Sequence, residues 1–142
     1  MSNKHVEDTT YWMLIQVALR SKHDFAHLAD TYDLSIMQLI TLCALKPGES
    51  TPMNMISCLL VCDASNVTGI AERLVSRKLI IREESQEDRR VKVIHLTPEG
   101  EAIRAEVLYE ITARQPESLS GLTPVEYEEL NHLLRKALLP KA

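Results

Sequence analysis

The sequence predicts a mainly α fold with one small β-wing, the winged helix-turn-helix, and three observations carry that reading. Asp63-Ala64-Ser65-Asn66-Val67-Thr68-Gly69-Ile70 opens a helix whose polar residues are small. Asp88-Arg89-Arg90 is a charged turn that leads into Val91-Lys92-Val93-Ile94-His95-Leu96, a run of β type, and that run ends on the helix-start signal Thr97-Pro98-Glu99-Gly100. Only four glycines and six prolines occur in 142 residues, which favours helices over a turn-rich β fold. Helix, turn, helix and basic hairpin in this order make a device for gripping duplex DNA.

The elements follow in chain order. Tyr11 to Ala29 reads as a first helix, with Trp12, Ile15, Leu19 and Ala26 on one stripe. Leu14, Val17, Ala18, Phe25 and Leu28 widen it, so this helix presents apolar surface to a partner as well as to the core. Ser35 and Gln38 have capping-box spacing and open a helix that runs to about Leu45, where Lys46-Pro47-Gly48 stops it. Thr51 is expected to cap the next helix, with Pro52 at its first position and an end near Val61. A tight turn at Cys62-Asp63 leads to the recognition helix, capped by Asp63 and reaching about Lys78. Leu79 to Arg82 and Val91 to Leu96 are the wing strands, joined by the polar link Glu83 to Arg90. Thr97-Pro98 starts a helix that ends near Arg114, and Pro116 and Gly121 break the chain after it. Thr123 and Glu126 form a second capping box, and Leu122, Leu130, Leu133, Leu134, Ala137 and Leu138 give the last apolar stripe.

Bulk properties bound the function. A chain of 142 residues fits one domain, 1–142. No run approaches the ~20 apolar residues of a membrane span. Met1 to Asp8 lacks the apolar stretch of a signal peptide, so a cytoplasmic protein without a membrane partner is expected. Net charge is −4, yet Ala64 to Lys92 carries seven basic and five acidic residues. That segment is +2 and the remainder −6, and local charge decides where a phosphate backbone docks, within a screening length of roughly 10 Å.

The functional residues follow from this frame. Ser65, Asn66, Thr68 and Gly69 point away from Val67, Ile70, Ala71 and Leu74, and small polar groups let a helix enter the major groove. Gly69 costs its helix ~1 kcal/mol relative to alanine, which close approach of the backbone to DNA explains. The wing arginines Arg89 and Arg90 can reach a narrow minor groove, with Asp88 bracing Arg90. Taken alone, either stretch reads as a solvated face; their order makes the DNA reading the better one.

Other chemistry is weaker. Cys58 and Cys62 are four apart and are expected to share a helix face beside the DNA-reading unit, where oxidation would disturb binding. With Cys43 they make an odd, clustered set rather than a disulfide framework, and inert packing is the commoner fate of such residues. His23 and His27 have a spacing that can hold a metal, but nothing completes the set, so no metal and no cofactor are expected. There is no phosphate loop, nucleophile elbow or HExxH, and no enzyme activity is expected.

These residues resemble the MarR-type family of transcriptional regulators, nearly from end to end. The most specific part is the wing pattern of Asp88 and Arg90, followed by Leu96-Thr97 and Gly100. The resemblance implies a homodimer, with dimerisation helices at about 8–30 and 98–139 and the winged helix-turn-helix at about 35–97. It implies two such modules on successive major grooves of a pseudo-palindromic duplex. It places Ser65, Asn66, Thr68 and Gly69 at the major groove, Arg73 further along the same helix on backbone or base, Arg89 on phosphate and Arg90 in the minor groove. Family members usually repress and are released by small molecules, often aromatic acids or phenols. Some sense peroxide through a cysteine near the start of the first helix, which has no counterpart here. Two alternatives stand beside this reading: a thiol-redox-responsive regulator, and a winged-helix protein–protein adaptor that does not bind DNA.

Overall fold

A computed structural model describes residues 5–140. Residues 1–4 of the segment read as lacking a leader, and 141–142 at the end of the expected 1–142 domain, lie outside them. The described elements are a 3-10 turn (Val6–Asp8), α1 (Thr10–Thr31), α2 (Ile36–Ala44), β1 (Thr51–Pro52), α3 (Met53–Leu60), α4 (Ala64–Ser76), β2 (Ile80–Glu84), β3 (Lys92–Leu96), α5 (Pro98–Ala113), a 3-10 turn (Glu117–Leu119) and α6 (Pro124–Leu138). They form two compact units, one of residues 25–113 and one of residues 1–24 with 114–142.

The unit of residues 25–113 holds the core. Val67, Ala71 and Leu74 recur at helical spacing on α4, and all three are buried. They share one buried core with Leu39 and Leu42 of α2, Ile56 of α3, Ile80 and Ile94 of the sheet and Val107 of α5, none of which reaches solvent appreciably. Each such aliphatic side chain contributes about 1.5–3 kcal/mol when fully buried. The helix starts are set by local chemistry. Ser35 accepts from the Gln38 N–H while the Gln38 side chain accepts from the Ser35 N–H, a complete capping box. Thr97 does two jobs: its hydroxyl donates to the Lys78 carbonyl at 2.6 Å and accepts from the Gly100 N–H at 3.1 Å. That hydroxyl pins the first turn of α5 to the chain entering β2.

The sheet is three-stranded and antiparallel, in the order β1-β3-β2. Its third strand corrects an expectation: Thr51 does not cap a helix. Thr51 and Pro52 pair with Ile94 and Val93 across β1 and β3, and α3 begins at Met53 without a side-chain cap. The Thr-Pro signal is taken up by a neighbouring strand instead. Proline is tolerated there because β1 lies at the sheet edge. A second correction concerns the cysteines. α3 ends at Leu60, and Val61 turns left-handed at φ 51°, so Cys62 falls in the turn and does not share a helix face with Cys58. A β-branched residue in that conformation costs of order 1–2 kcal/mol. Val61 recovers none of it by burial, being 91% exposed. α4 also ends slightly early, at Ser76, because Lys78 is left-handed at φ 58°.

In the unit of residues 1–24 with 114–142, the Ser118 N–H donates to the Asp24 carboxylate at 3.1 Å and the Ser21 and Ser118 hydroxyls meet at 3.2 Å. The Gln115 side-chain amide donates to the carbonyls of Leu119 and Leu122. Thr123 and Glu126 complete their capping box at the start of α6. The apolar stripes of this unit stay open to solvent. No described residue of α6 is buried, and Tyr11, Leu14 and Leu19 on α1 and Leu133 and Leu138 on α6 are all exposed.

Candidate nucleic-acid interface

α3 and α4 cross at a bend of 110° around the three-residue turn Val61-Cys62-Asp63. That angle is the one helix-turn-helix units use to present their second helix. The left-handed Val61 makes the turn, and the Cys62 N–H closes it on the Ser57 carbonyl at 3.2 Å. Asp63 then caps α4. Its carboxylate accepts the Asn66 N–H at 3.0 Å and the Ser65 hydroxyl at 2.9 Å. Those two bonds, the backbone one first, hold the Asp63 pKa below its ordinary value.

The polar residues of the first turns divide by how they are engaged. Ser65 spends its proton on Asp63, leaving its oxygen lone pairs as acceptors. Thr68 donates its hydroxyl to the Ala64 carbonyl at 3.0 Å. The Asn66 side-chain amide makes no hydrogen bond among the described residues, so both its donor and its acceptor are available. A Cβ built on Gly69 would meet nothing within 4 Å. Packing inside the protein therefore gives no reason for glycine at that position. Arg73 lies further along α4 and is exposed.

Across from α4 stands the wing. β2 and β3 pair from Ile80↔Leu96 to Glu84↔Lys92. The Ser85 N–H then bonds the Val91 carbonyl at 2.8 Å, and the Val91 N–H bonds the Asp88 carbonyl at 2.9 Å. Asp88 grips Arg90 three times: at its N–H (3.0 Å), its Nε (3.1 Å) and its Nη2 (3.2 Å). The Arg90 guanidinium is thus fixed in direction while its side chain stays 91% exposed. This pairing lowers the Asp88 pKa, the Arg90 side chain first and its backbone N–H second. A carboxylate with a depressed pKa keeps its partner above its ordinary range and releases it only as pH falls through the lowered value. The fork is therefore intact at neutral pH. Arg89 is exposed beside it.

Helix and wing enclose a cleft of about 380 Å³ whose lining includes Asn54, Ser57, Thr68, Arg82, Arg90 and Lys92. Of the residues singled out from sequence, this cleft brings together Thr68 and Arg90. Ser65, Asn66, Gly69, Arg73 and Arg89 lie outside its lining, and Ser65, Asn66 and Gly69 are exposed on the first turns of α4. Asn54, Ser57, Arg82 and Lys92 escaped the sequence reading as site residues. Arg82 and Lys92 could have been found by strand alternation, since Arg82 pairs opposite Ile94 and Lys92 opposite Glu84 on one face. The Lys92 ammonium is paired with the Glu84 carboxylate at 3.0 Å and Arg90 with Asp88, whereas Arg82 makes no ion pair among the described residues. Arg77, counted among the basic residues of the segment, is engaged elsewhere. Its guanidinium donates to the Asp33 and Tyr32 carbonyls at 2.6 and 2.9 Å.

Cys43 is partly buried, and burial pushes its thiol pKa up against the opposing pull of Arg104. Cys58 is exposed and Cys62 half-buried against the core. Among the described residues no group of three or more His, Cys, Asp or Glu side chains is arranged to hold a metal, and His23 and His27 are engaged with other groups. No single helix among them is long and apolar enough to cross a membrane.

A capped recognition helix beside an arginine-tipped hairpin defines a winged-helix protein of the kind that regulates transcription. The profile of the family described as Transcriptional regulator SarA/Rot matches residues 25–118, and the chain belongs to that family. MgrA of Staphylococcus aureus, a helix-turn-helix transcriptional regulator, is 32% identical over 107 residues, covering 75% of this chain and 71% of MgrA. YhbI of Bacillus subtilis, an uncharacterised regulator of the same type, is 30% identical over 74 residues, so the chain spans 48% of its length. Among solved structures, BpsR of Bordetella bronchiseptica superposes with a TM-score of 0.80 at 26% identity, over 99% of this chain and 100% of that one. The reduced form of MarR from E. coli shares the fold at a TM-score of 0.79 and 22% identity, over 96% of this chain and 100% of MarR.

Proposed function

We propose that this chain is a sequence-specific DNA-binding repressor of the MarR type. It acts in the cytoplasm as a homodimer on a pseudo-palindromic operator and is released by a small-molecule effector. The observation that carries the reading is the pairing of the exposed start of α4 with a wing arginine held in a fixed direction by Asp88. The winged helix-turn-helix, about 35–97, reads the duplex. Ser65, Asn66, Thr68 and Gly69 enter the major groove, Arg73 contacts backbone or base, Arg89 takes a backbone phosphate, and Arg90 enters the minor groove. The helices at about 8–30 and 98–139 form the dimer region, and the uncovered leucines of α1 and α6 support it. Ligand control is supported by BpsR, whose DNA binding is regulated by 6-hydroxynicotinic acid. The family resemblance points to an aromatic or phenolic effector. No reaction chemistry is assigned to the chain.

Gly69 gives the test. In an exposed helix interior, Gly69→Ala should raise folding stability by about 1 kcal/mol, because alanine is the better helix former and the added methyl meets nothing. If the glycine exists to let DNA approach the backbone, the same methyl should weaken operator binding. Thermal denaturation and duplex binding on one protein sample read both effects. A variant that is more stable and binds as tightly as the wild type would remove Gly69 from the interface.

A further inference from the structure

Away from the DNA-facing cleft, Tyr32, Ala105, Glu106, Tyr109 and Glu110 line a second cleft of about 500 Å³. Glu106, Tyr109 and Glu110 stand three and four residues apart on α5 and so share one helix face. Tyr32 follows the last residue of α1, and its hydroxyl donates to the Glu106 carboxylate at 3.0 Å. The Tyr32 pKa is raised by burial, then by that bond, then by the charges of Glu106 and Glu110, so both carboxylates bear on one hydroxyl. Two phenol rings and the Glu106 carboxylate around one opening favour a positive guest, while Glu110 at the rim is already engaged with a neighbour. A carboxylate guest would meet like charge, whereas an ammonium group gains from carboxylate and ring face together.

The same tyrosine is joined to the recognition helix. Arg77 follows the last residue of α4, and its guanidinium donates to the main-chain carbonyls of Tyr32 and Asp33. Asp33 is left-handed at φ 53°, and its carboxylate lies 3.8 Å from the same guanidinium. One residue, Tyr32, therefore offers its hydroxyl to the cleft and its carbonyl to the end of α4.

We propose that this cleft binds an organic ammonium ion, and that the ligand, by drawing Glu106 away from the Tyr32 hydroxyl, alters the end of α1 and through Arg77 the C-terminal turn of α4. This site is a different one from any that would hold an aromatic acid, and it rests on the proposed function only for the consequence at DNA. The two aromatic rings favour an organic cation over a metal ion, and no metal-binding group of three side chains occurs among the described residues.

The test titrates the full chain with benzyltrimethylammonium chloride by calorimetry at constant ionic strength, with sodium benzoate and magnesium chloride as the other arms. Saturable binding of the cation is expected. Glu106→Gln, which keeps the hydrogen-bonding shape but not the charge, should weaken it roughly 10-fold. Tyr109→Leu should weaken it by a smaller factor, while Tyr32→Phe, which frees Glu106, should bind as tightly or more tightly. A merely structural role for Tyr32 predicts the opposite for that last variant. Hydrogen exchange then reads the coupling without DNA. Amides near Arg77 should change protection on adding the cation, and should not in Arg77→Ala or, if that variant is poorly folded, in Arg77→Lys. No saturable binding, affinity unmoved by Glu106→Gln, or benzoate or magnesium binding in preference would each overturn the site. Unchanged exchange near Arg77 on cation binding would overturn the coupling. If the cation binds as described but no duplex is recognised, the DNA reading fails and the site stands.

Discussion

Gly100→Ala should destabilise the fold by about 3 kcal/mol or more, the largest stability effect expected from adding one methyl to this chain. A Cβ on Gly100 would lie 2.0 Å from the Leu79 carbonyl oxygen, 3.0 Å from its carbon and 3.3 Å from a Leu96 methyl. The first obstacle is backbone and cannot rotate away. That carbonyl accepts the Thr97 N–H at 3.1 Å, and the Thr97 hydroxyl holds both Lys78 and Gly100, so the methyl strikes the joint between α5 and the sheet. The better helix propensity of alanine returns only ~1 kcal/mol. In a chain of this size the melting temperature should fall by roughly 10 °C. Gly121→Ala is the control, because a Cβ there meets nothing within 4 Å, and it should melt close to the wild type. Equal melting temperatures for the two variants would contradict the close approach at Gly100.

Arg90→Ala should cost operator affinity roughly 5- to 150-fold, the range of one base-contacting arginine. Its side chain is 91% exposed and serves no packing role, so the folded protein should melt as before. Asp88→Ala should cost less. It leaves the arginine charge in place and removes only the three bonds that aim it. If Arg90 enters a negatively charged groove, as proposed, the deficit of Arg90→Ala should shrink as salt rises. Duplex titrations of wild type and both variants at two salt concentrations separate these terms. Wild-type affinity in Arg90→Ala would remove the wing from the interface.

Features set by neighbours in the chain were legible in the sequence. The Ser35–Gln38 and Thr123–Glu126 boxes and the Asp63 cap all form where the spacing places them, because each closes a bond within three residues. The buried face of α4 follows from the helical spacing of Val67, Ala71 and Leu74. What was not legible depends on distant partners or on backbone strain. Thr51-Pro52 carries the same letters as Thr97-Pro98 and Thr123-Pro124, yet β3 captures it from some forty residues away through Ile94 and Val93. Val61 adopts a left-handed conformation that its side chain disfavours, so the spacing of Cys58 and Cys62 pointed to a shared face that the chain does not have. Charge counting included Arg77 in the basic segment, but composition does not reveal that the end of α1 binds it. At the candidate interface the exposed side of α4 and the wing arginines were readable. The contribution of Asn54 and Ser57 was not, since only the 110° crossing brings α3 to the cleft.

The proposed function requires the chain to read a duplex sequence as a dimer. Its most direct test is selection of bound sequences from a random duplex library, followed by titration of the enriched duplex to its end point. A palindromic consensus with half-sites about one helical turn apart, ~10 bp, and two chains per duplex is expected. Binding should fall steeply between low and moderate salt. No enrichment over the starting library, with weak binding to every duplex, would contradict it and favour the adaptor reading.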